Sequence, residues 1–178
     1  MKKVLLLAVI AVAITFKSNA QKNVVKANPL GLLFGVASVG YERAVSDKGA
    51  IEISAAYSSA KVVFDSNEEV TASGFGAEGK YKFYFSSEKV APRGWYFAPT
   101  ITYASASAES DSESGEVTIF GGGAVGGYQW VFGGGTSGFA LDLNFGAQYI
   151  SANVSGDIDS ANIDGILPRV GLAIGYSW

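Results

Sequence analysis

Seven charged residues lie at positions that an alternating chain would point the same way. Glu42, Glu52, Glu78, Lys80, Lys82, Asp142 and Arg169 each occupy the sparser, more polar parity of a stretch whose other parity is apolar. Carboxylates and cations gathered in a confined space can carry an ion or a proton, or can neutralise one another as a plug. Glu42, Glu52, Lys80 and Lys82 come from three successive extended stretches, so one ion-pair cluster is expected, with Gln129, Asn144 and Gln148 nearby. The expected role is a polar plug; the sharper alternative is a narrow ion or proton path. The chain has no His, so the usual general base, the commonest metal ligand and the physiological pH switch are missing together. No Ser stands beside an evident base. The expectation is a protein that is not an enzyme, with no catalytic residue, no cofactor and no metal site.

Three other motifs are weaker. Gly121, Gly123 and Gly126 in "GGGAVG" have dinucleotide-loop spacing, but no helix is expected after them, and that motif needs a strand-to-helix turn. "ESDSESGE" and "DSNEE" offer carboxylates to a divalent cation, for which solvated acidic loops are the plainer account. "DIDSANIDG" begins like a calcium loop, yet Ala161 stands where a third ligand is required.

The elements that must position the seven charges are strands. "IEISAAY" sets Ile51, Ile53, Ala55 and Tyr57 against Glu52, Ser54 and Ala56; "FGAEGKYKFYF" sets Phe75, Ala77, Tyr81, Phe83 and Phe85 against Glu78, Lys80 and Lys82. "FALDLNFGAQY" and "ILPRVGLAIGYSW" repeat the pattern around Asp142 and Arg169. Such period-2 alternation marks strands with two different faces. Val117–Leu141 is uncharged over a length that could span a bilayer as a helix, but its nine glycines argue for two strands and a hairpin instead. The tally is eight strands, at about 25–34, 37–46, 50–62, 74–86, 94–106, 116–132, 138–153 and 166–178. Long connections are expected near 63–73, 106–115 and 155–165, and a short turn at 46–49. A three-residue Asp47-Lys48-Gly49 loop with left-handed Gly would pair Ser46 with Ala50, Glu42 with Ser54 and Ala44 with Glu52.

Residues 1–20 read as a cleaved secretory signal peptide: Lys2 and Lys3, an apolar run from Val4 to Phe16, then Ser18-Asn19-Ala20. Residues 21–178 form the expected single domain. Removing Lys2, Lys3 and Lys17 leaves ten basic residues against 16 acids, a net charge of −6, which gives no electrostatic case for nucleic acid. Without Cys, an exported domain must fold without disulfides.

Eight alternating strands permit two barrels of opposite polarity. A soluble ligand carrier of the lipocalin kind lines its interior with the apolar face; a membrane barrel turns that face outward. The polar parity here is rich in small residues, including Gly76, Ala98, Ala104, Gly146, Gly171 and Ala173, and poor in surface charge. That composition suits a crowded lumen better than a solvated surface. Tyr41, Phe85, Trp95, Tyr128, Trp130, Phe132, Phe139, Tyr176 and Trp178 cluster near one end of their strands, as an interfacial girdle would.

The closing "VGLAIGYSW" resembles the C-terminal signal of small eight-stranded outer-membrane β-barrels of Gram-negative bacteria, the group containing OmpX, OmpW and the OmpA membrane domain. Leu172, Ile174, Tyr176 and Trp178 match its alternating apolar positions and final aromatic. The resemblance implies recognition by the outer-membrane assembly machinery and a monomer in the lipid bilayer, in contact with surface lipids. It further implies an all-β, eight-stranded antiparallel up-and-down transmembrane barrel in the cell outer membrane, with a structural or surface-interaction role in the envelope. Two alternatives stand beside that role: an OmpW-like conduit for small apolar solutes, and a secreted lipocalin-like carrier. "NPLGLLFGVASVGYERAVSDKGAIEISAAY" resembles more narrowly a domain of unknown function found in small outer-membrane barrels, with Asn28, Gly40 and Glu42 at the matching positions.

Overall fold

In a computed structural model the alternating stretches close into a ring. The structure describes residues 23–63, 69–109, 114–133, 137–156 and 161–178. The signal-peptide reading, and the acids Asp65, Glu68, Asp111, Glu113, Asp157 and Asp159, fall outside them. In chain order the elements are β1 (Asn23–Ala27), α1 (Pro29–Leu33), β2 (Val36–Ser46), β3 (Gly49–Val63), β4 (Glu69–Tyr84), β5 (Gly94–Glu109), β6 (Ser114–Phe132), β7 (Gly138–Gly156) and β8 (Ala161–Ser177). Each strand pairs antiparallel with the next and β8 pairs with β1, so eight up-and-down strands form a closed barrel. Closure removes the sheet edge along those β1–β8 pairs, and beyond Ile174 β8 has no described strand beside it on that side. The seam is completed by Asn23 and Trp178, which exchange backbone hydrogen bonds of 3.2 and 3.0 Å.

Parity carries through the ladder. Even-numbered residues of β1 to β5 and β7, and odd-numbered residues of β6 and β8, point into the barrel. That sends all seven predicted charges inward, while Ile53, Phe75, Phe97, Ile101, Phe120, Phe145, Val170 and Tyr176 lie exposed on the outside. A small apolar floor, Ala44, Ala50, Tyr84, Ala91, Tyr96, Ala98 and Val125, fills the end that carries the termini. The Phe85–Arg93 connection folds across this end. Its Ala91 amide donates to the Asp47 carbonyl (2.8 Å), and Pro92 is fully buried.

Four sequence expectations need correction. The first strand was expected to run over 25–34, but it stops at Ala27, and Asn28 caps a one-turn helix by accepting from the Gly31 amide at 3.1 Å. An Asn cap followed by Pro at the first helical position is a helix-start signature. Gly31 is needed because a Cβ there would lie 2.7 Å from the Val36 carbonyl oxygen. Asn28→Ala should therefore cost about 1 kcal/mol, and Gly31→Val should cost more, about 1–3 kcal/mol from overpacking; chemical unfolding of the refolded barrel checks both.

The first hairpin is out of the expected register by two residues. Ser46 pairs with Gly49 across a two-residue turn, the ladder shifts between Ala44 and Ser46, and Glu42 faces Glu52 rather than Ser54. Gly49 is in the strand, not a left-handed turn: a Cβ on it would meet the Tyr81 hydroxyl at 2.5 Å. Slipping by two preserves the faces, so inward residues stay inward. Next, the expected long connections are largely ladder. Val63 pairs with Glu69, Glu109 with Ser114 and Val154 with Ala161, which makes Phe85–Arg93 longer than the gaps left at 64–68, 110–113 and 157–160. Finally the expected set of inward charges omits Lys26, which points into the lumen.

Candidate functional site: a charge layer across the lumen

The interior of an eight-stranded barrel is just wide enough for side chains to fill, and here charged ones fill its lower half. Lys26 from β1 reaches Glu52 Oε2, Gln129 Oε1 and Asp142 Oδ2, each at 2.7 Å, and also pairs with Glu42. Lys82 from β4 reaches Asp142 Oδ2 at 2.5 Å, Glu42 Oε2 and Glu52 Oε2 at 2.9 Å, and Gln129 Oε1 at 3.0 Å. The Tyr84 hydroxyl donates to Glu42 Oε1 and that of Tyr96 to Asp142 Oδ1, both at 2.6 Å. Lys82 also lies 4.3 Å from the Tyr96 ring centre, within cation–π range.

A second tier sits above. Lys80 bridges Glu52 Oε1 (2.8 Å) and Glu78 Oε1 (3.0 Å). Arg169 pairs with Glu78 and donates to Gln148 Oε1 at 3.0 Å, while Thr102 donates to Glu78 Oε2 at 3.2 Å. The two tiers share Glu52. Four cations meet four carboxylates, every carboxylate oxygen holds a donor, and each of the eight strands supplies a member. Gln129 anchors the layer to the floor by donating to the Pro92 carbonyl at 2.7 Å.

The structure thus brings Glu42, Glu52, Glu78, Lys80, Lys82, Asp142 and Arg169 into one network. Lys26, Tyr84 and Tyr96 also belong to it, and sequence reasoning gave none of them a place there. Tyr84 and Tyr96 occupy the polar parity of their strands, a signal that was available. The register explains the Glu42–Glu52 pair: two carboxylates directly opposite one another repel, but Lys26 and Lys82 both sit on their Oε2 atoms. Glu42, Glu52 and Asp142 also converge closely enough to offer oxygens to one metal ion. The two ammonium groups already occupy that convergence, so the arrangement is a salt cluster rather than a cation cage. "GGGAVG" lies within β6, where no helix follows.

Against the charge layer lies a cavity of about 300 Å³, lined by small and apolar residues and by Lys26, Glu52, Glu78, Lys80 and Arg169 of the network. The wall is incomplete at this height. Ala27 is the last residue of β1, pairing Val39 on one side and Ile174 on the other. Beyond it no described strand stands between β2 and β8, and α1 lies against both.

The chemistry supported by this interior is neutralisation and closure. Fold and site together define a closed eight-stranded barrel with an apolar outside and a charge-filled, charge-balanced lumen. The chain belongs to the family described as protein of unknown function (DUF3575), whose model matches residues 5–156. β8 lies beyond that match. No curated protein and no solved structure matches the chain. Among the described residues no helix is long and apolar enough to cross a membrane, which says nothing about strands.

Proposed function

We propose that this protein is a monomeric integral outer-membrane β-barrel with a structural or surface-interaction role in the cell envelope and no catalytic activity of its own. The supporting observation is where the outer face changes character. Along Phe75–Phe85, Trp95–Tyr103, Phe120–Phe132, Phe139–Tyr149 and Ile166–Trp178 every outward side chain is apolar, aromatic or small. Above them the outward positions become Ser59, Ser73, Ser105, Ser107, Glu116, Thr118, Ser151, Asn153, Asn162 and Asp164. The ladder joins these polar residues into a collar: Ser59 pairs Ser73, Ser73 pairs Ser107, Ser105 pairs Thr118, Thr118 pairs Asn153, and Ser151 pairs Asp164. Bands of 9–13 residues match the ~9–11 a strand needs to cross hydrocarbon. A soluble monomer seldom exposes more than a few hundred Å² of contiguous apolar surface, and a ligand carrier of the lipocalin kind has the opposite polarity.

At the terminal end the aromatics form a near-continuous exterior belt. Trp95 and Tyr128 lie 5.0 Å apart, Tyr128 and Trp130 4.4 Å, Phe132 and Phe139 6.0 Å, and Tyr41 and Trp178 6.4 Å. Amphipathic rings favour the headgroup level. The test is depth-dependent substitution in phospholipid vesicles. Ile101→Arg, in mid-band, should cost about 2–4 kcal/mol, and Ser107→Arg, in the collar, no more than about 1 kcal/mol. Equal costs at the two depths would remove the support.

The charge layer also carries a conductance expectation. Purified protein in planar bilayers should show no steady current, because the charge layer spans the lumen with its four cations paired to four carboxylates. A porin-sized conductance would replace the plug by the ion path. A second reading, a conduit for small apolar solutes, is favoured by the cavity and by the gap between β2 and β8.

A further inference from the structure

We infer that the lumen on the cavity side of the charge layer is a binding cup for a small organic carboxylate. It is entered from the end opposite the termini, and the Arg169 guanidinium is its principal anchor. The cup is built from the inside of the barrel alone, so it stands apart from whatever phase surrounds the outer wall.

Three observations carry it. The first is a surplus of donors. The carboxylate oxygens at the cavity are already engaged: Glu52 Oε1 and Glu78 Oε1 by Lys80, Glu52 Oε2 by Lys26, and Glu78 Oε2 by Arg169 and Thr102. The donors beside them are not used up. Arg169 reaches both Glu78 and Gln148 through Nη1, and its Nη2 and Nε groups have no hydrogen-bond partner among the described residues. Lys80 has two carboxylate partners for its three N–H groups. Asn28, also at the cavity, accepts from Gly31 through Oδ1 and leaves its amide nitrogen unbonded among the described residues. A ligand that brings acceptors is satisfied here, whereas one that brings donors meets no free carboxylate oxygen.

The second is the division of charge. Lys26, Lys80 and Arg169 border the cavity with Glu52 and Glu78, three cations against two carboxylates. Glu42, Lys82 and Asp142 stand on the floor side with Tyr84 and Tyr96, one cation against two carboxylates. A layer that is balanced as a whole is therefore polarised, positive toward the cavity and negative toward the floor. That face attracts a monoanion and repels a cation. Among the described acids near the open end, Glu116 and Asp164 take the outward parity of β6 and β8.

The third is access. Inward side chains at the level of the layer, such as Glu52, Thr100 and Asp142, are buried. The cavity rises from them between Ala56, Gly76 and Ala104. Two residues further along β5, Ala106 is exposed although it takes the inward parity, and so are the inward Leu167 and Ile163 of β8, at 49% and 59%. The upper lumen is thus open where the lower lumen is filled. The Arg169 side chain is 23% exposed, so it is within reach from that opening. A volume of about 300 Å³ is at the lower end for a small-molecule site, and the small-residue wall leaves room for a short apolar chain behind a carboxylate.

The experiment uses the purified barrel in a non-ionic detergent, titrated with hexanoate, hexanol and hexylammonium while the Arg169 Nε–H signal is followed by NMR. Hexanoate is expected to shift that signal saturably, and the other two are not. Calorimetry then compares two variants that retain heat-modifiable gel mobility. Arg169→Gln should weaken hexanoate binding about tenfold or more, the loss of a charge-assisted hydrogen bond; Glu78 keeps Lys80 and Thr102 in that variant. Gly76→Leu leaves every charge in place and should abolish binding. A Cβ there meets only ordinary contacts, the nearest being Ala104 Cβ at 3.5 Å, so the longer side chain grows into the cavity. A hexanol response equal to that of hexanoate overturns the carboxylate assignment, and saturable binding of hexylammonium overturns the polarity. No saturable shift with hexanoate, or undiminished binding by either variant, overturns the site. Displacement of hexanoate by equimolar chloride overturns its assignment to an organic anion.

Discussion

Lys82→Met should destabilise the barrel by about 3–5 kcal/mol, the range for breaking a buried ion pair by removing one partner. The Lys82 side chain is fully buried and touches Glu42, Glu52, Asp142 and Gln129. Without it Lys26 alone faces three carboxylates in the lower tier, and Glu42 faces Glu52 across the ladder with half of its compensation gone. Adding Asp142→Asn restores the balance of charge and should recover a large part of the loss. Lys89→Met is the control: Lys89 is exposed and bonds the Tyr128 hydroxyl at the terminal rim, so its loss should stay within about 0.5 kcal/mol. Urea unfolding from phospholipid vesicles, followed by tryptophan fluorescence, gives all three. Equal stability of Lys82→Met and the parent would mean that the charge layer is not what closes the lumen.

Deleting Trp178 should reduce the yield of assembled barrel more than any substitution of a loop acid. Among the described residues the β1–β8 seam is short, its ladder pairs resting on Val24, Val25, Lys26 and Ala27 of β1. The reciprocal backbone bonds between Asn23 and Trp178 add one further closing pair, and the Trp178 ring lies against Tyr41, whose hydroxyl holds Asn23 Oδ1 at 2.7 Å. Two backbone bonds at about 1 kcal/mol each, together with the half-buried ring, come to roughly 2–4 kcal/mol at the point where the ring of strands closes. Heat-modifiable gel mobility should show a several-fold fall in the folded band for the truncated chain and none for Asp164→Asn, an exposed acid of β8 at the opposite end. A full folded band after deletion would show that the seam closes without its last residue.

What the sequence disclosed about this barrel followed from period-2 alternation. Charges embedded in otherwise apolar stretches, such as Glu52 between Ile51 and Ile53, have their face dictated by their neighbours. The inward set and the count of eight strands were legible for that reason. Lys26 was not, because Val24 and Val25 are both apolar and Asn28-Pro29 follows at once, so nothing fixes a parity. The hairpin register was wrong by two because it depends on turn geometry and on the irregularity near Val45, to which alternation is blind. The strand extensions were missed because Ser, Thr and Glu look like loop residues, whereas a ladder needs only backbone N–H and C=O groups. The Asn28-Pro29 start of α1 carried a readable helix signature that the expectation of a continuous first strand overrode. The gap between β2 and β8 had no sequence signal, since it arises from where β1 stops.

The most direct measurement of the central claim is the partition of the full-length protein, expressed from residue 1 in a Gram-negative host, between urea-washed outer membranes and the soluble periplasm. The account predicts that the mature protein stays in the washed membrane pellet, is released only by detergent, and migrates differently before and after boiling. A mature protein found soluble in the periplasm, stable without detergent, would contradict it.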